Sequence, residues 1–176
     1  MPRPHTQLGI ALVLVALPAL ARADSLEGEV GLGVGMTALG GHHPTGGFTL
    51  VPSGSIAWRF AEWGSLRYRN ALPIFNLSAL RWIGVINMNT ALLGIHVSPL
   101  LVELGPSLDV FAVPLCASTG CQREHGVAPA GHFGAVLLPD PTSKLAAGVT
   151  VHITYIPGII WSGVSASTAL EGRYRW

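Results

Sequence analysis

Hydrophobic and polar residues alternate along the C-terminal stretch Ser165–Trp176. One face of this stretch carries apolar or small residues, including Leu170 and Trp176. The other face carries polar residues, including Glu171 and Arg173. Successive side chains of a β-strand point to opposite faces of the sheet, so this period of two predicts a strand with one apolar and one polar face.

The same alternation recurs in seven earlier segments, which gives eight predicted strands. They cover residues 27–37, 48–60, a segment starting at 66, then 89–97, 100–111, 127–138, 144–155 and 165–176. Short turns at 62–65, 98–99 and 139–143 alternate with longer connections at 38–47, 114–126 and 157–163. Residues 70–87 are ambiguous and must hold the end of the third strand plus another long connection. This order predicts an up-and-down chain with both termini at the end that carries the short turns.

The apolar faces are expected to point outward into lipid. The chain is 49% hydrophobic and only 11% charged, too few polar residues to cover the outside of a soluble eight-stranded barrel, the first alternative. A helical membrane protein is the second alternative, because residues 82–104 are weakly charged, but Gly94, His96 and Pro99 interrupt that run. Strands of about 9–12 residues suit a bilayer crossing. The pattern predicts an all-β fold, a closed eight-stranded antiparallel up-and-down transmembrane β-barrel.

Charged residues on the inward faces are expected to pair in an ionic network that plugs the lumen. Backbone groups cannot stay unpaired in lipid, so the first strand must close against the last. Buried charges persist when they are paired, and Glu29 and Arg173 are candidate partners across this seam. A catalytic carboxylate among these charges is the alternative. The predicted network, at the end that carries the termini, comprises Glu27, Glu29, Arg59, Arg67, Arg69, Glu103, Lys144, Glu171 and Arg173, with His96 and Arg175 beside it.

Small residues line the other half of the predicted lumen. Because small side chains at similar depth leave volume unfilled, they predict a cavity open to the outside and closed below by the charges. These residues are Gly31, Gly33, Gly35, Ser53, Ser55, Gly105, Ser107, Gly148, Thr150, Ser165 and Ser167.

Residues 1–23 have the features of a cleaved secretory signal peptide, which leaves residues 24–176 as the barrel domain. Arg3 provides the positive N-terminal region, residues 8–20 are apolar, and residues 21–23 read Ala-Arg-Ala before Asp24. An uncleaved anchor is the alternative, but the apolar run is short for a membrane span. Loss of Arg3 and Arg22 reduces the ten basic residues to eight, against nine acidic residues. No basic patch then remains to suggest a nucleic-acid partner.

Cys116 and Cys121 are the two cysteines of the chain, and an exported protein is expected to join them in a disulfide. With His125 they could imitate a zinc site, but a fourth ligand is missing. His42 and His43 are adjacent in a glycine-rich loop, where exposed polar residues are common. We therefore expect no metal and no cofactor.

The sequence His96-Val97-Ser98 resembles the His-x-Ser pattern of the outer-membrane lipid A deacylases, which are also small barrels. In that family a glutamate completes a Ser-His-Glu catalytic set, and Glu103 is the nearest candidate here. The predicted topology places this segment at the periplasmic end, whereas lipid A occupies the outer leaflet. Ser98 and Pro99 are instead expected to form a tight turn.

The alternation, the loop pattern and the C-terminal aromatic residue together resemble the eight-stranded bacterial outer-membrane barrels of the OmpA transmembrane-domain and OmpX type. The resemblance implies an outer-membrane location, a porin-like envelope protein, and a structural or surface-interaction role carried by extracellular loops. The implied partners are outer-membrane lipid, lipopolysaccharide and the barrel-assembly machinery, which would read the strand that ends at Trp176. A lipid A-modifying enzyme and a narrow solute channel are the alternative functions.

Overall fold

The computed structural model describes residues 26–39, 45–75, 83–117, 120–138, 143–156 and 163–176. Its strands are β1 (Leu26–Leu39), β2 (Thr45–Ala61), β3 (Gly64–Ala71), β4 (Ile74–Phe75), β5 (Gly84–Val97), β6 (Leu100–Ala117), β7 (Gly120–Leu137), β8 (Leu145–Ile156) and β9 (Gly163–Arg175). Consecutive strands other than β3 and β4 pair antiparallel, and β1 pairs with both β2 and β9, so the sheet closes into a barrel. Both β3 and β4 pair with β2 and β5, and together they form one of eight barrel strands interrupted at Leu72 and Pro73.

The two ends of the barrel differ. The terminal end carries Leu26 and Trp176 and the turns between β2 and β3, between β5 and β6, and between β7 and β8. The opposite end, called the loop end below, carries the remaining connections. This arrangement confirms the predicted up-and-down antiparallel fold.

Strand register fixes the tilt of the barrel. Register partners traced from Leu26 pass through Trp58, Leu66, Leu93, Leu104, Phe133, Val151 and Thr168 and return to β1 at Met36, ten residues further along. For eight strands this offset corresponds to a tilt of about 40°. Moving one residue along a strand changes the height along the barrel axis by about 2.5 Å. Moving to the register partner on the next strand, in the order from β1 to β9, shifts the height by about 3 Å toward the loop end.

Aliphatic side chains point out of the barrel and charges point in. On β8, Leu145 is 66% exposed and Ile153 is 51% exposed, whereas Glu171 and Arg173 on β9 are 1% and 4% exposed. A soluble barrel would have the opposite polarity. None of the described residues belongs to a helix long and apolar enough to cross a membrane. The prediction of a transmembrane barrel is confirmed.

One predicted connection was wrong. Residues 114–117 and 120–126 are strand in the structure, because β6 runs to Ala117 and β7 starts at Gly120. The two strands stay in register to the tip of this hairpin, where Ala117 is paired with Gly120. The two backbones remain paired there, but the side chains do not alternate between hydrophobic and polar as they do in contact with lipid. The sequence pattern therefore does not predict these strand ends.

The ambiguous segment 70–87 also contains strand. The third barrel strand continues to Ala71 and resumes at Ile74–Phe75, and β5 starts at Gly84 rather than at Asn89. Two outward positions of this region hold Asn70 and Asn87, whereas inward positions hold apolar residues such as Phe75 and Ile86. The period of two is therefore hidden although the strands are present.

Candidate functional site

The barrel lumen contains the main concentration of charged residues among those described, arranged in layers along the barrel axis. At the terminal end, Glu27 accepts a hydrogen bond from the guanidinium of Arg175 at 2.6 Å and forms an ion pair with Arg59 at 3.1 Å. Arg175 also reaches Glu29, with Nε 3.2 Å from Oε1. This first layer is partly open to solvent, since the Glu27 side chain is 27% exposed.

The next layer is fully buried and centres on Glu103. Arg173 donates to both carboxylate oxygens of Glu103, at 2.9 and 2.8 Å, which is the bidentate geometry of a strong charge-assisted pair. Nε of Arg67 lies 3.1 Å from Glu103 Oε1, and Nη1 of Arg67 donates to Glu29. Arg173 Nη1 lies 3.7 Å from Glu29 Oε2. The pair expected across the seam is thus a secondary contact, and each partner has a shorter one.

Glu171 connects this layer to the middle of the lumen. It accepts hydrogen bonds from Arg69, from Arg173 Nε at 3.2 Å and from the Thr150 hydroxyl at 3.2 Å. All of these side chains are buried. Two arginines and one hydroxyl therefore satisfy a carboxylate that has no access to bulk water.

Two histidines continue the network toward the loop end. Arg69 can only donate, so Nε2 of His132, 3.2 Å from Arg69 Nη1, must accept. The Nδ1 atoms of His132 and His152 are 3.3 Å apart, and His152 Nε2 is 2.7 Å from Asp109 Oδ2. The only consistent assignment has each ring donating one hydrogen bond and accepting one, which is the pattern of two neutral imidazoles.

Hydroxyl groups complete the polar part of the lumen. Asp109 accepts from Thr154 at 2.5 Å and from Ser107 at 2.6 Å. A second set lies nearer the loop end, where Thr37 is hydrogen-bonded to Ser167 and to Thr49, each at 2.8 Å. A cavity of about 10 Å³ between His132, His152 and Glu171 has room for about one water molecule.

Apolar side chains fill the rest of the loop-end half of the lumen, beside these hydroxyl groups. The buried cluster consists of Leu39, Val51, Ala71, Phe75, Ile86, Met88, Phe111, Val113, Ala128 and Ala169. The predicted open cavity was therefore wrong. The glycines make room for long charged side chains instead: a Cβ on Gly33 would lie 2.7 Å from Glu171 Cγ, and one on Gly31 would lie 3.3 Å from Arg173 Cγ.

The structure places Lys144 outside the network. It lies in the turn before β8, is exposed, and has no ion pair with another described residue. Its backbone carbonyl accepts a hydrogen bond from the Arg175 amide at 2.8 Å. The prediction assigned it to the lumen because its position continues the inward face of β8, but the strand starts only at Leu145.

Sequence reasoning did not assign Asp109, His132 and His152 to the network. Each falls on the polar face of its predicted strand, and His132 and His152 are register partners. These residues could have been assigned to the network from two features together: they lie on polar strand faces, and they lie at similar depths in the barrel. The other predicted network residues contact one another: Glu27, Glu29, Arg59, Arg67, Arg69, Glu103, Glu171 and Arg173.

The enzyme-like residues are not assembled into a catalytic set. His96 Nε2 is 3.2 Å from the Ser65 hydroxyl, whereas Ser98 is exposed in the turn before β6. Glu103 is fully buried and has both oxygens bound to Arg173. Among the described residues, no hydrogen bond connects His96 to Ser98 or to Glu103.

Several predictions concern parts of the chain about which little is described. Cys116 and Cys121 are register partners across the β6–β7 hairpin, and direct cross-strand pairs have Cα atoms within disulfide range. Their side chains are not among those described, so the disulfide stays a prediction. His125 is exposed. The signal peptide 1–23, His42 and His43 lie outside the described residues.

Solved structures with the same fold are proteins of bacterial outer membranes. Neisserial surface protein A is 10% identical, with a TM-score of 0.57 over 86% of this chain and 97% of that one. The attachment invasion locus protein Ail of Yersinia pestis is 12% identical, with a TM-score of 0.59 over 86% of this chain and 99% of that one. The N-terminal β-barrel domain of Pseudomonas aeruginosa OprF is 12% identical, with a TM-score of 0.50 over 85% and 97%. No protein-family model and no curated protein sequence matches the chain.

Proposed function

We propose that this protein is an integral barrel of a Gram-negative outer membrane with a closed lumen and a structural or surface-interaction role at its loop end. The observation that carries the proposal is the filling of the lumen. Charged pairs occupy the terminal half, and packed apolar side chains together with hydrogen-bonded hydroxyl groups occupy the loop-end half. Such a barrel has an inert interior, so its contacts with other molecules must come from its outer surface and its ends.

The charge balance of the lumen supports a plug. The carboxylates that form ion pairs with arginine are those of Glu27, Glu29, Glu103 and Glu171, and the guanidiniums are those of Arg59, Arg67, Arg69, Arg173 and Arg175. The Asp109 carboxylate lies apart from these pairs and is hydrogen-bonded to His152, Thr154 and Ser107. Opposite charges in direct contact leave no continuous water-filled path that is lined by charges of one sign. An ion entering this column would have to break buried pairs, which is costly in a low-dielectric interior.

The hairpin of β6 and β7 is the proposed contact surface. Ala112 is the last β6 residue paired with β5, and Ala130 is the first β7 residue paired with β8. Among the described strands, about 16 Å of β6 beyond Ala112 therefore pairs only with β7. Arg123 and His125 are exposed on this hairpin. Free strand edges and exposed polar side chains suit recognition of another protein, and one protein that shares the fold is named for attachment.

An epitope tag tests the location and orientation. We expect a tag inserted between Ala117 and Gly120 to bind antibody on intact Gram-negative cells that express the protein. A tag inserted between Ser98 and Pro99, at the terminal end, is the matched control and should be detected only after the outer membrane is opened. The reverse pattern, or an inner-membrane location on fractionation, would overturn the proposal.

Planar-bilayer recording tests the closed lumen. We expect the folded protein to produce no current steps above those of a protein-free membrane, because ion pairs and the apolar cluster block the path. A large open porin reconstituted in the same way serves as the positive control. Discrete, reproducible steps from the purified barrel would favour the narrow solute channel instead.

A further inference from the structure

The outward surface of the barrel carries a polar cluster on β3 and β5. It consists of Tyr68, Asn70, Asn87 and Asn89, which are called the asparagine cluster below. Tyr68 is 54% exposed, and the three asparagines are partly exposed. Their neighbours in both strands, Arg69 and Met88, are buried and face the lumen. The cluster therefore lies on the side of the sheet that elsewhere carries aliphatic residues.

The asparagine cluster lies within the hydrocarbon depth of the membrane. On β2, outward aromatic residues mark the two interfaces: Trp58 near the terminal end and Phe48 near the loop end, about 25 Å apart along the axis. Asn70 is the register partner of Gly54, four residues from Trp58. With the barrel tilt, Asn70 lies about 13 Å and its partner Asn89 about 16 Å above Trp58. Both asparagines are near the middle of the hydrocarbon layer between these two aromatic residues, where water is absent.

The cluster is internally hydrogen-bonded, which shows that it is an ordered unit. Asn70 Nδ2 donates to Asn87 Oδ1 at 2.7 Å and to Asn89 Oδ1 at 3.0 Å. The Tyr68 hydroxyl donates to Asn89 Oδ1 at 2.9 Å, and Asn89 Nδ2 lies 3.3 Å from the Leu108 carbonyl. Among the residues that the structure describes, Asn70 Oδ1 and Asn87 Nδ2 have no hydrogen-bond partner. One acceptor and one donor are thus left facing lipid.

An unpaired amide group in hydrocarbon is unfavourable, so this surface favours a polar partner inside the membrane. A free acceptor beside a free donor is self-complementary under two-fold symmetry. Asn70 of one copy can accept from Asn87 of the other, and the reverse contact is identical. Polar side chains that bond in this way promote association of membrane proteins.

The surroundings of the cluster permit close approach. Gly54 lies beside Asn70, and a Cβ there would have only the Glu29 carbonyl oxygen, at 3.8 Å, within 4 Å. Ala91 is exposed beside Tyr68 on the next strand. Small residues beside polar ones allow two surfaces to meet at backbone distance.

We propose that the asparagine cluster is an interface through which two copies of this protein associate side by side in the membrane, with the three carboxamides at its centre. This interface requires only the transmembrane barrel. It is independent of the proposed role of the loop end and of the closed lumen.

Sedimentation equilibrium of the folded protein in density-matched detergent tests the interface. We expect a reversible dimer for the natural chain and at least a tenfold weaker association for the triple variant Asn70→Leu, Asn87→Leu and Asn89→Leu. Thr168→Leu is the matched control, because Thr168 is an exposed outward polar residue on β9, across the barrel. It should leave the association unchanged. Folding is monitored by the heat-dependent mobility shift of the barrel, which all variants should retain.

Photo-crosslinking in cells identifies the molecule that contacts the asparagine cluster. A benzophenone amino acid at Ala91 should yield a product of twice the chain mass, and the same residue at Val149, on the far side, should not. A monomer at all concentrations, an unchanged dimer of the triple variant, or a cross-link from Ala91 only to lipid or to a different protein would each overturn the proposal.

Discussion

Replacement of Arg173 by methionine is expected to lower the free energy of unfolding by about 3–5 kcal/mol. Arg173 binds both oxygens of Glu103 and also contacts Glu171 and Glu29. Methionine fills similar space without a charge, so these buried carboxylates lose a shared partner. Urea unfolding in lipid vesicles, followed by tryptophan fluorescence, measures the change.

Two further variants separate loss of the ion pair from a general effect of substitution. Lys144→Met removes an exposed cation and should change stability by less than about 0.5 kcal/mol. The double variant Arg173→Met, Glu103→Leu removes both partners and should be less destabilised than Arg173→Met alone, since no uncompensated charge is left at that position. If Arg173→Met is as stable as the natural chain, the ionic network does not support the fold.

Introduction of arginine at Val149 is expected to destabilise the inserted barrel by about 2–4 kcal/mol. Val149 points outward from β8 and is 53% exposed. It lies four residues from Leu145, about 10 Å deeper toward the middle of the membrane. A guanidinium there would have to remain in hydrocarbon or distort the bilayer.

The matched control is Leu145→Arg on the same strand and face. Leu145 is the register partner of Tyr174, one of the aromatic residues at the terminal end. An arginine there can reach the interface, so the expected cost is only about 0–1 kcal/mol. Unfolding in vesicles compares the two variants. Equal effects at both positions would mean that this face of β8 does not cross the hydrocarbon.

The period of two was sufficient to predict the fold where the environment differs on the two faces. On β8, Val149 faces lipid and Thr150 faces a buried carboxylate, so alternation in the sequence reflects a physical difference. The pattern weakened where that difference ends. One such place is the end of β6, where residues 112–117 show no alternation of hydrophobic and polar residues. At Asn87 and Asn89, polar residues occupy lipid-facing positions.

The lumen was only partly predictable. Inward charges such as Glu103 and Arg67 were expected to pair, because a buried charge has no other way to be stabilised. Which charges pair depends on side-chain reach and strand offset, which alternation does not encode. The small residues were read as empty space, but Gly33 instead provides room for Glu171. The residue type at one position does not show how far the side chain of a residue on the neighbouring strand extends.

The most direct test of the account measures which face of β8 contacts lipid. Cysteines would be placed one at a time at residues 147–154, in a background with Cys116→Ser and Cys121→Ser, and spin-labelled in the folded protein in vesicles. Accessibility to oxygen, which dissolves in lipid, should alternate with a period of two and be high at Val149, Val151 and Ile153. High oxygen accessibility at the even-numbered positions instead, or no alternation, would contradict a barrel that turns its aliphatic residues toward the membrane and its charges inward.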